Sequence, residues 1–234
     1  MPLIQHGAPS DMSRAIVESP AVLGPDDEAA AAFSVSANSR GVSLKTIQLT
    51  KDFGLLSDLF NPSYNVYFVA WAWDLSGNPV VQYPPAQLGI SADGFVLTLR
   101  SQEERSFIGS GVQLFPPRKV TAGINVCINL WQSRQDVRNL GTTLSKVAQT
   151  IQSSSLNQVL SAIALATATP AAAVTLAANA TLELTGAIGE VLKTSADQQL
   201  DLFQGTYDVT QPWAAGDDRY RGQGTEIVLT RLAA

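Results

Sequence analysis

Between Lys146 and Glu183 the chain carries no charged residue, and this run is rich in Ala, Thr and Leu. An exposed helix face usually carries Asp, Glu, Lys or Arg, so soluble proteins seldom leave so long a stretch uncharged. The run must therefore be covered by the rest of this protein, by a partner chain such as a second copy, or by a lipid bilayer. Which of these covers it is the functional question that the sequence poses.

Size and charge exclude several classes of protein. A chain of 234 residues with 45% hydrophobic residues can build a large core and does not have the composition of a disordered protein. Its net charge of −5 and its scattered Lys and Arg residues argue against nucleic acid as a partner, because binding to phosphates needs clustered basic residues. The single cysteine, Cys127, stands between Val126 and Ile128 and is predicted to be a buried thiol.

The N-terminal part of the chain differs from the rest. Residues 1–32 hold several prolines and an acidic cluster without a hydrophobic period, and are predicted to form an extended arm. Residues 1–28 contain no apolar run that could serve as a signal peptide or anchor. A cytoplasmic location is therefore expected by default, and export by a leaderless route stays open.

The most apolar predicted strand runs from Asn65 to Asp74. Successive side chains of a strand point to opposite faces, and here both faces are apolar. One face carries Tyr67, Val69, Trp71 and Trp73, and the other carries Val66, Phe68, Ala70 and Ala72. This strand is therefore predicted to be central and covered on both sides. The small side chains of the second face favour a closely packed neighbour there, and a helix is the neighbour that we expect.

The neutral run has the pattern of helices. One helix face is predicted by the spacing of Leu140, Leu144, Val147 and Ile151. Two further helices are predicted over Leu156–Ala168 and Ala171–Lys193, separated at Thr169-Pro170.

A strand pattern returns only at Thr225–Leu232, after a segment from residue 205 to 223 that is predicted to be a loop. The predicted fold is mainly β with an α insertion. It is an antiparallel β-sandwich of about seven or eight strands. One domain is expected over residues 33–234, and a helical insertion over 134–193 precedes the last strand.

No standard catalytic signature is present, so the chain is predicted not to be an enzyme. Its one histidine, His6, lies in the arm, and a phosphate-binding loop and a dinucleotide fingerprint are both absent. Zinc sites need several Cys or His ligands. A metal-dependent hydrolase that uses Asp52, Asp58 or Asp74 is kept as an alternative.

Carboxylates follow several of the predicted strand ends. Asp52 and Asp58 flank a loop between two strands, Asp74 ends the aromatic strand, and Asp136 follows the strand ending at Trp131. If these loops met at one end of the sandwich, their oxygens could hold calcium, a hard ion that prefers oxygen ligands. Asp also favours turns and solvated loops without any metal, so both interpretations stay open.

Part of the chain resembles a known family. The order Asp52, Ser57-Asp58 and then Pro62 to Tyr67 is similar to the first loop of the calcium- and phospholipid-binding β-sandwich domains of protein kinase C and synaptotagmin. The strand from Ile124 to Trp131 also looks like that family, and the resemblance extends over about residues 42–136.

This resemblance implies a β-sandwich that binds membrane lipid with the help of calcium. Asp52 and Asp58 match positions that are calcium ligands in the family, and Asp136 is the acid left in the second loop. Gln132 and Arg134 stand where the family's second loop would place acids. The resemblance therefore implies the fold more strongly than the metal.

Four tryptophans are divided between core and surface. Trp71 and Trp73 are predicted to lie in the core, whereas Trp131 and Trp213, at a strand end and in a loop, are predicted to contact a membrane or a partner. The leading hypothesis is a non-enzymatic binding or adaptor module that contacts membrane lipid headgroups or a protein partner through loops at a sandwich end. The alternative is a toxin or pore-forming component, since paired Ala-rich helices resemble the hairpins that such proteins keep folded before insertion.

Overall fold

The structure is a computed structural model that describes residues 3–6, 34–50, 63–85, 94–134, 137–164, 170–195 and 197–233. For residues 3–6, 137, 138, 164, 170 and 171 the description covers the backbone only. The strands are β1 (Leu3–His6), β2 (Arg40–Leu49), β3 (Ser63–Trp73), β4 (Val81–Tyr83), β5 (Leu97–Arg100), β6 (Glu104–Ser106), β7 (Val112–Arg118), β8 (Gly123–Gln132), β9 (Gln198–Asp208), β10 (Gly216–Arg221) and β11 (Thr225–Ala233). The helices are α1 (Val137–Gln152), α2 (Ser155–Ala164) and α3 (Pro170–Lys193).

The strands form two antiparallel sheets. The covered sheet has the order β1-β9-β8-β3-β4, with β5 also paired to β3, and the outer sheet has the order β10-β11-β2-β6, with β7 also paired to β2. The three helices follow β8 and lie on the covered sheet. The predicted antiparallel β-sandwich with a helical insertion is confirmed.

Two details of that prediction were wrong: the number of strands that follow the helices, and the loop predicted over residues 205–223. The helices precede the last three strands and not only the last one, because the segment predicted as a loop contains the end of β9 and all of β10. Strand β10 reads Gly-Asp-Asp-Arg-Tyr-Arg and lies at the edge of the outer sheet. Charged side chains are typical of edge strands, and they hide such a strand from a search for apolar alternation.

Strand β3 lies between two hydrophobic cores. It pairs with β8 on one side and with β4 and β5 on the other, and it is buried on both faces, as predicted. Its even-numbered residues, such as Phe68 and Ala70, face the outer sheet, and its odd-numbered residues, such as Val69 and Trp71, face the helices.

The helices therefore cover the face opposite to the predicted one. Ala70 and Ala72 belong to the core between the two sheets, whereas Trp71 and Trp73 belong to the core beneath the helices. Small side chains allow another layer to approach closely, but a second sheet satisfies that condition as well as a helix does. The prediction that Trp71 and Trp73 are core residues is confirmed, with exposures of 1% and 6%.

The neutral run forms most of the helical layer, and only one side of it is buried against the rest of the protein. The predicted stripe of α1 is buried, and Cys127 of β8 lies beneath the helices as a buried thiol, as predicted. Burial raises the pKa of Cys127 well above its ordinary value, while the nearby Thr185 hydroxyl has the opposite, smaller effect. The protein thus covers the inner side of the run by itself, and the outer side stays on the surface.

A buried carboxylate fixes the turn between β10 and β11. Asp201 of β9, 3% exposed, accepts hydrogen bonds from Gln223 N (2.9 Å), Gly224 N (3.0 Å) and Thr225 Oγ1 (2.6 Å). Gly222 leaves room for it, since a Cβ atom there would lie 2.4 Å from Asp201 Oδ2. The carboxylate therefore ties the covered sheet to the outer sheet.

We expect Asp201→Ala to lower the free energy of unfolding by about 3 kcal/mol, because three donors, two of them buried, lose a charged acceptor. Asp217→Ala is the matched control. Its exposed ion pair with Lys45 should contribute less than about 1 kcal/mol. Urea denaturation of both variants measures the difference, and equal losses would contradict the role given to Asp201.

Candidate functional site

The strand register defines the two ends of the sandwich. In the β3–β8 pair Val66 lies opposite Gln132, and Trp73 lies opposite Asn125. The Ser63 end therefore carries the start of β3, the end of β8 and the start of β9. The Trp73 end carries the end of β3, the start of β8 and the end of β9.

The predicted calcium ligands Asp52, Asp58 and Asp136 lie outside the described residues. Within the ranges that the structure describes, no group of three or more His, Cys, Asp or Glu side chains is close enough to hold a metal ion. Calcium binding by those three carboxylates stays a prediction.

Asp74 has a structural role and cannot join the loop that follows β8. It lies at the Trp73 end, whereas β8 finishes at the Ser63 end. Its fully buried carboxylate accepts hydrogen bonds from Arg118 Nη2 (3.0 Å), Thr121 N (3.0 Å) and Ser76 Oγ (2.7 Å). Of the two interpretations that the sequence left open for Asp74, a calcium ligand or a turn residue, the structure supports the turn residue, because antiparallel strands end alternately at the two ends of a sheet.

The structure also corrects the prediction for Trp131. This indole is 2% exposed and belongs to the core beneath the helices, so it is not available as a membrane or partner contact in this structure. Its position at the end of β8 suggested exposure, but the helical layer extends over that strand end.

Trp213 lies in a different environment, beside a small cleft near the Trp73 end. We call this cavity of about 130 Å³ the Trp213 cleft. The residues that line it come from β9, β10, β11 and the loop between β9 and β10: Tyr207, Asp208, Gln211, Pro212, Trp213, Asp218 and Arg231. Trp213 is partly exposed, and its Nε1 donates a hydrogen bond to Leu232 O at 2.9 Å.

Arg40 holds the loop that carries Trp213. Its guanidinium donates to three backbone carbonyls, those of Asp208 (2.8 Å), Val209 (2.7 Å) and Gln211 (3.0 Å). Its Cζ atom also lies 5.1 Å from the centre of the Trp213 ring, within the range of a cation–π interaction. The planar fork of an Arg side chain suits several acceptors at once, which a Lys ammonium does not.

Burial lowers the pKa of Arg40, and the charge of Asp208 opposes this shift. An Arg side chain nevertheless stays protonated in proteins. A buried positive charge therefore lies directly beneath the loop, and its charge is offset by the neighbouring carboxylate.

A chain of hydrogen-bonding groups forms one wall of the cleft. The hydroxyls of Tyr207 and Tyr220 are 3.1 Å apart, and Tyr207 OH lies 3.4 Å from Asp218 Oδ2. Arg231 Nε lies 2.9 Å from the same carboxylate oxygen, although its N–H is not aligned as a hydrogen bond. Burial raises the pKa of Tyr220 to about 12 and raises that of Tyr207 further. Both hydroxyls therefore carry their protons at neutral pH.

Most of this site could not be predicted from the sequence. The loop position of Trp213 was recognised, but Arg40 lies 168 positions away from Asp208 along the chain. In β10, Asp218 and Tyr220 lie on the less exposed face and alternate with exposed charged residues. This alternation was a signal of a strand, but the many charged residues led to the prediction of a loop.

Comparisons with known proteins add little. No family model and no curated protein matches this chain. One solved structure that matches is human GIVD cytosolic phospholipase A2 in complex with methyl gamma-linolenyl fluorophosphonate and terbium chloride, at 7% identity and a TM-score of 0.33. The match covers 86% of this chain and 18% of that one, so this chain spans less than a fifth of its length. A likeness this low supports no conclusion about activity.

We expect Arg40→Met to loosen the Trp213 loop, because hydrogen bonds from a charged donor contribute about 1.5–3 kcal/mol each. Amide exchange at Val209, whose N–H donates to Ala122 O, should accelerate by about tenfold or more. Arg40→Lys is the conservative control, which keeps the charge but not the fork, and should recover only part of the protection. Wild-type exchange in Arg40→Met would show that other contacts hold the loop.

Proposed function

We propose that the protein is a non-enzymatic binding module that holds a membrane lipid headgroup in the Trp213 cleft. The observation that carries this proposal is a partly exposed indole on a loop fixed by three hydrogen bonds from buried Arg40. A loop held rigidly before binding loses little conformational entropy on binding, so its contacts contribute more fully to affinity.

The buried carboxylates support a binding role over a catalytic one. Asp74 and Asp201 accept hydrogen bonds from loop backbones, and Asp197 accepts one from Tyr67 OH at 2.8 Å and one from Arg134 N at 2.9 Å. A general acid or base needs to reach a substrate, whereas these groups hold the protein's own loops. The cleft itself has the composition of a recognition site, with two aromatic side chains, Tyr207 and Trp213, and several convergent polar groups.

Flotation with lipid vesicles tests this proposal. The vesicles are made from a polar lipid extract containing zwitterionic, anionic and glycosylated lipids. We expect the wild type to float and Trp213→Ala to bind about tenfold more weakly, which corresponds to about 1.4 kcal/mol. Ile108→Ala is the control, because Ile108 is 100% exposed and does not line the cleft.

The same experiment separates the two ends of the sandwich. Flotation is measured with calcium and with a chelator. Binding through the Trp213 cleft should not depend on calcium, since the described lining residues include only two carboxylates, Asp208 and Asp218, and calcium prefers about six to eight oxygen ligands. Binding that requires calcium and is unaffected by Trp213→Ala would contradict the proposal and favour the predicted calcium ligands.

The second candidate function is that of a toxin or pore-forming component, and the packing of the helices supports it. In the first half of α3 the inward residues are Ala173, Ala177 and Ala180, whereas Val174 and Leu176 are 43% and 49% exposed. Alanine buries less apolar area than valine or leucine, so this half of α3 is held weakly against its neighbours. The arrangement favours a helical layer that leaves the sheet at a membrane. No helix within the described ranges is long and apolar enough to cross a bilayer.

Thr185→Cys tests the second candidate. Thr185 of α3 lies within hydrogen-bonding range of Cys127 of β8, so oxidation of this variant should join the helix to the sheet. If the layer inserts, dye release from vesicles should be absent in the oxidised variant and return on reduction. Oxidant-treated wild type, which has a single cysteine, is the control. Equal release from both forms, or none from the wild type, would contradict insertion.

A further inference from the structure

The Trp213 cleft has nearly balanced charge. Its lining includes the carboxylates of Asp208 and Asp218 and the guanidinium of Arg231, and Arg40 lies beneath its loop. The positive charges are taken up by ion pairing with Asp218 and by backbone carbonyls. A site for phosphate or carboxylate needs an excess of positive charge, and the nearly balanced charge of this cleft favours neither anions nor cations.

The size of the cleft favours a ligand that inserts one small ring. A cavity of about 150 Å³ in another protein admits benzene, and the Trp213 cleft has about 130 Å³. Gln211 and Pro212 are exposed at its rim, so substituents of a bound ring can extend into solvent. The cleft therefore suits a single six-membered ring at the end of a larger molecule.

The polar groups of the cleft match hydroxyl groups. Asp218 offers acceptors and Arg231 offers donors side by side, and neighbouring hydroxyls on a ring can donate to the first and accept from the second. Tyr207, 3% exposed, has its hydroxyl 3.4 Å from Asp218, longer than a usual hydroxyl–carboxylate hydrogen bond. The Trp213 ring provides an apolar surface for the C–H groups of such a ligand.

We infer that the Trp213 cleft binds an uncharged polyhydroxylated six-membered ring, a sugar or cyclitol, either as the headgroup of a lipid or as a free saccharide. This inference rests on the proposed function in one respect, that the ligand binds in the Trp213 cleft. Asp218 and Arg231 hold the hydroxyls, Trp213 contacts the ring, and Gln211 binds at the rim.

Titration of the folded full chain tests this inference. The probes are D-glucose, D-galactose, myo-inositol and, as the charged comparator, inorganic phosphate. Binding is followed by the NMR signal of the Trp213 indole N–H, which Trp213→Phe identifies. We expect at least one of the neutral rings to bind with a dissociation constant in about the millimolar range, and phosphate not to bind.

Two variants of the cleft test the inference with changes that should leave the fold intact. Asp218→Asn removes the charged acceptor. Gln211→Ala shortens an exposed side chain and keeps the backbone carbonyl of residue 211, which accepts the hydrogen bond from Arg40. Both should weaken binding, Asp218→Asn by about tenfold, while Ile108→Ala leaves it unchanged. The inference is overturned if none of the neutral rings binds, if phosphate binds instead, or if both cleft variants bind as the wild type does.

Flotation separates this inference from the proposed function. Vesicles of phosphatidylcholine are compared with and without a galactosyl lipid. Each flotation is repeated with the free ring that binds, added as a competitor. Binding of free rings without flotation supports the inference and contradicts the membrane role. Flotation that needs neither the galactosyl lipid nor the cleft, and that free rings do not inhibit, contradicts the proposed function, while the titration of the free rings still decides the inference.

Discussion

The burial of β3 on both faces is the constraint on which the rest of the structure depends. A strand with apolar residues on both sides must be covered twice, and this protein covers it once with a second sheet and once with helices. Trp71 and Trp73 fill the space beneath the helices, while Ala70 and Ala72 allow the outer sheet to lie close. The neutral run is thereby explained on its inner side, because its buried residues complete the second core.

Buried charges then fix the loops that the two cores leave at the ends of the sandwich. Asp74, Asp201 and Arg40 each meet several loop groups, and each would be costly to bury without those partners. These residues therefore give the described loops that they contact a defined geometry. Arg40 has the added effect of placing Trp213 at the edge of a polar cleft.

The cleft and the outer face of α3 differ in what they can recognise. The cleft combines an indole with paired donors and acceptors, which favours a specific small ligand. The outer face of the first half of α3 offers Val174 and Leu176 on an uncharged surface, which favours an apolar environment without selecting a particular molecule. The two surfaces can be tested separately, because none of the described residues that line the Trp213 cleft comes from the helices.

The amino-acid sequence by itself determined the β frame, the helical run, the central position of β3 and the burial of Cys127, because these depend on periodicity and local composition. It did not determine which face of β3 the helices cover, since both faces are apolar and either could receive them. Nor did it reveal the burial of Trp131 beneath the helices or the position of β10, whose charged residues conceal its alternation. Only the tertiary structure brought Arg40 to the carbonyls of residues 208–211, because contacts between segments so distant in the chain depend on how the two sheets pack.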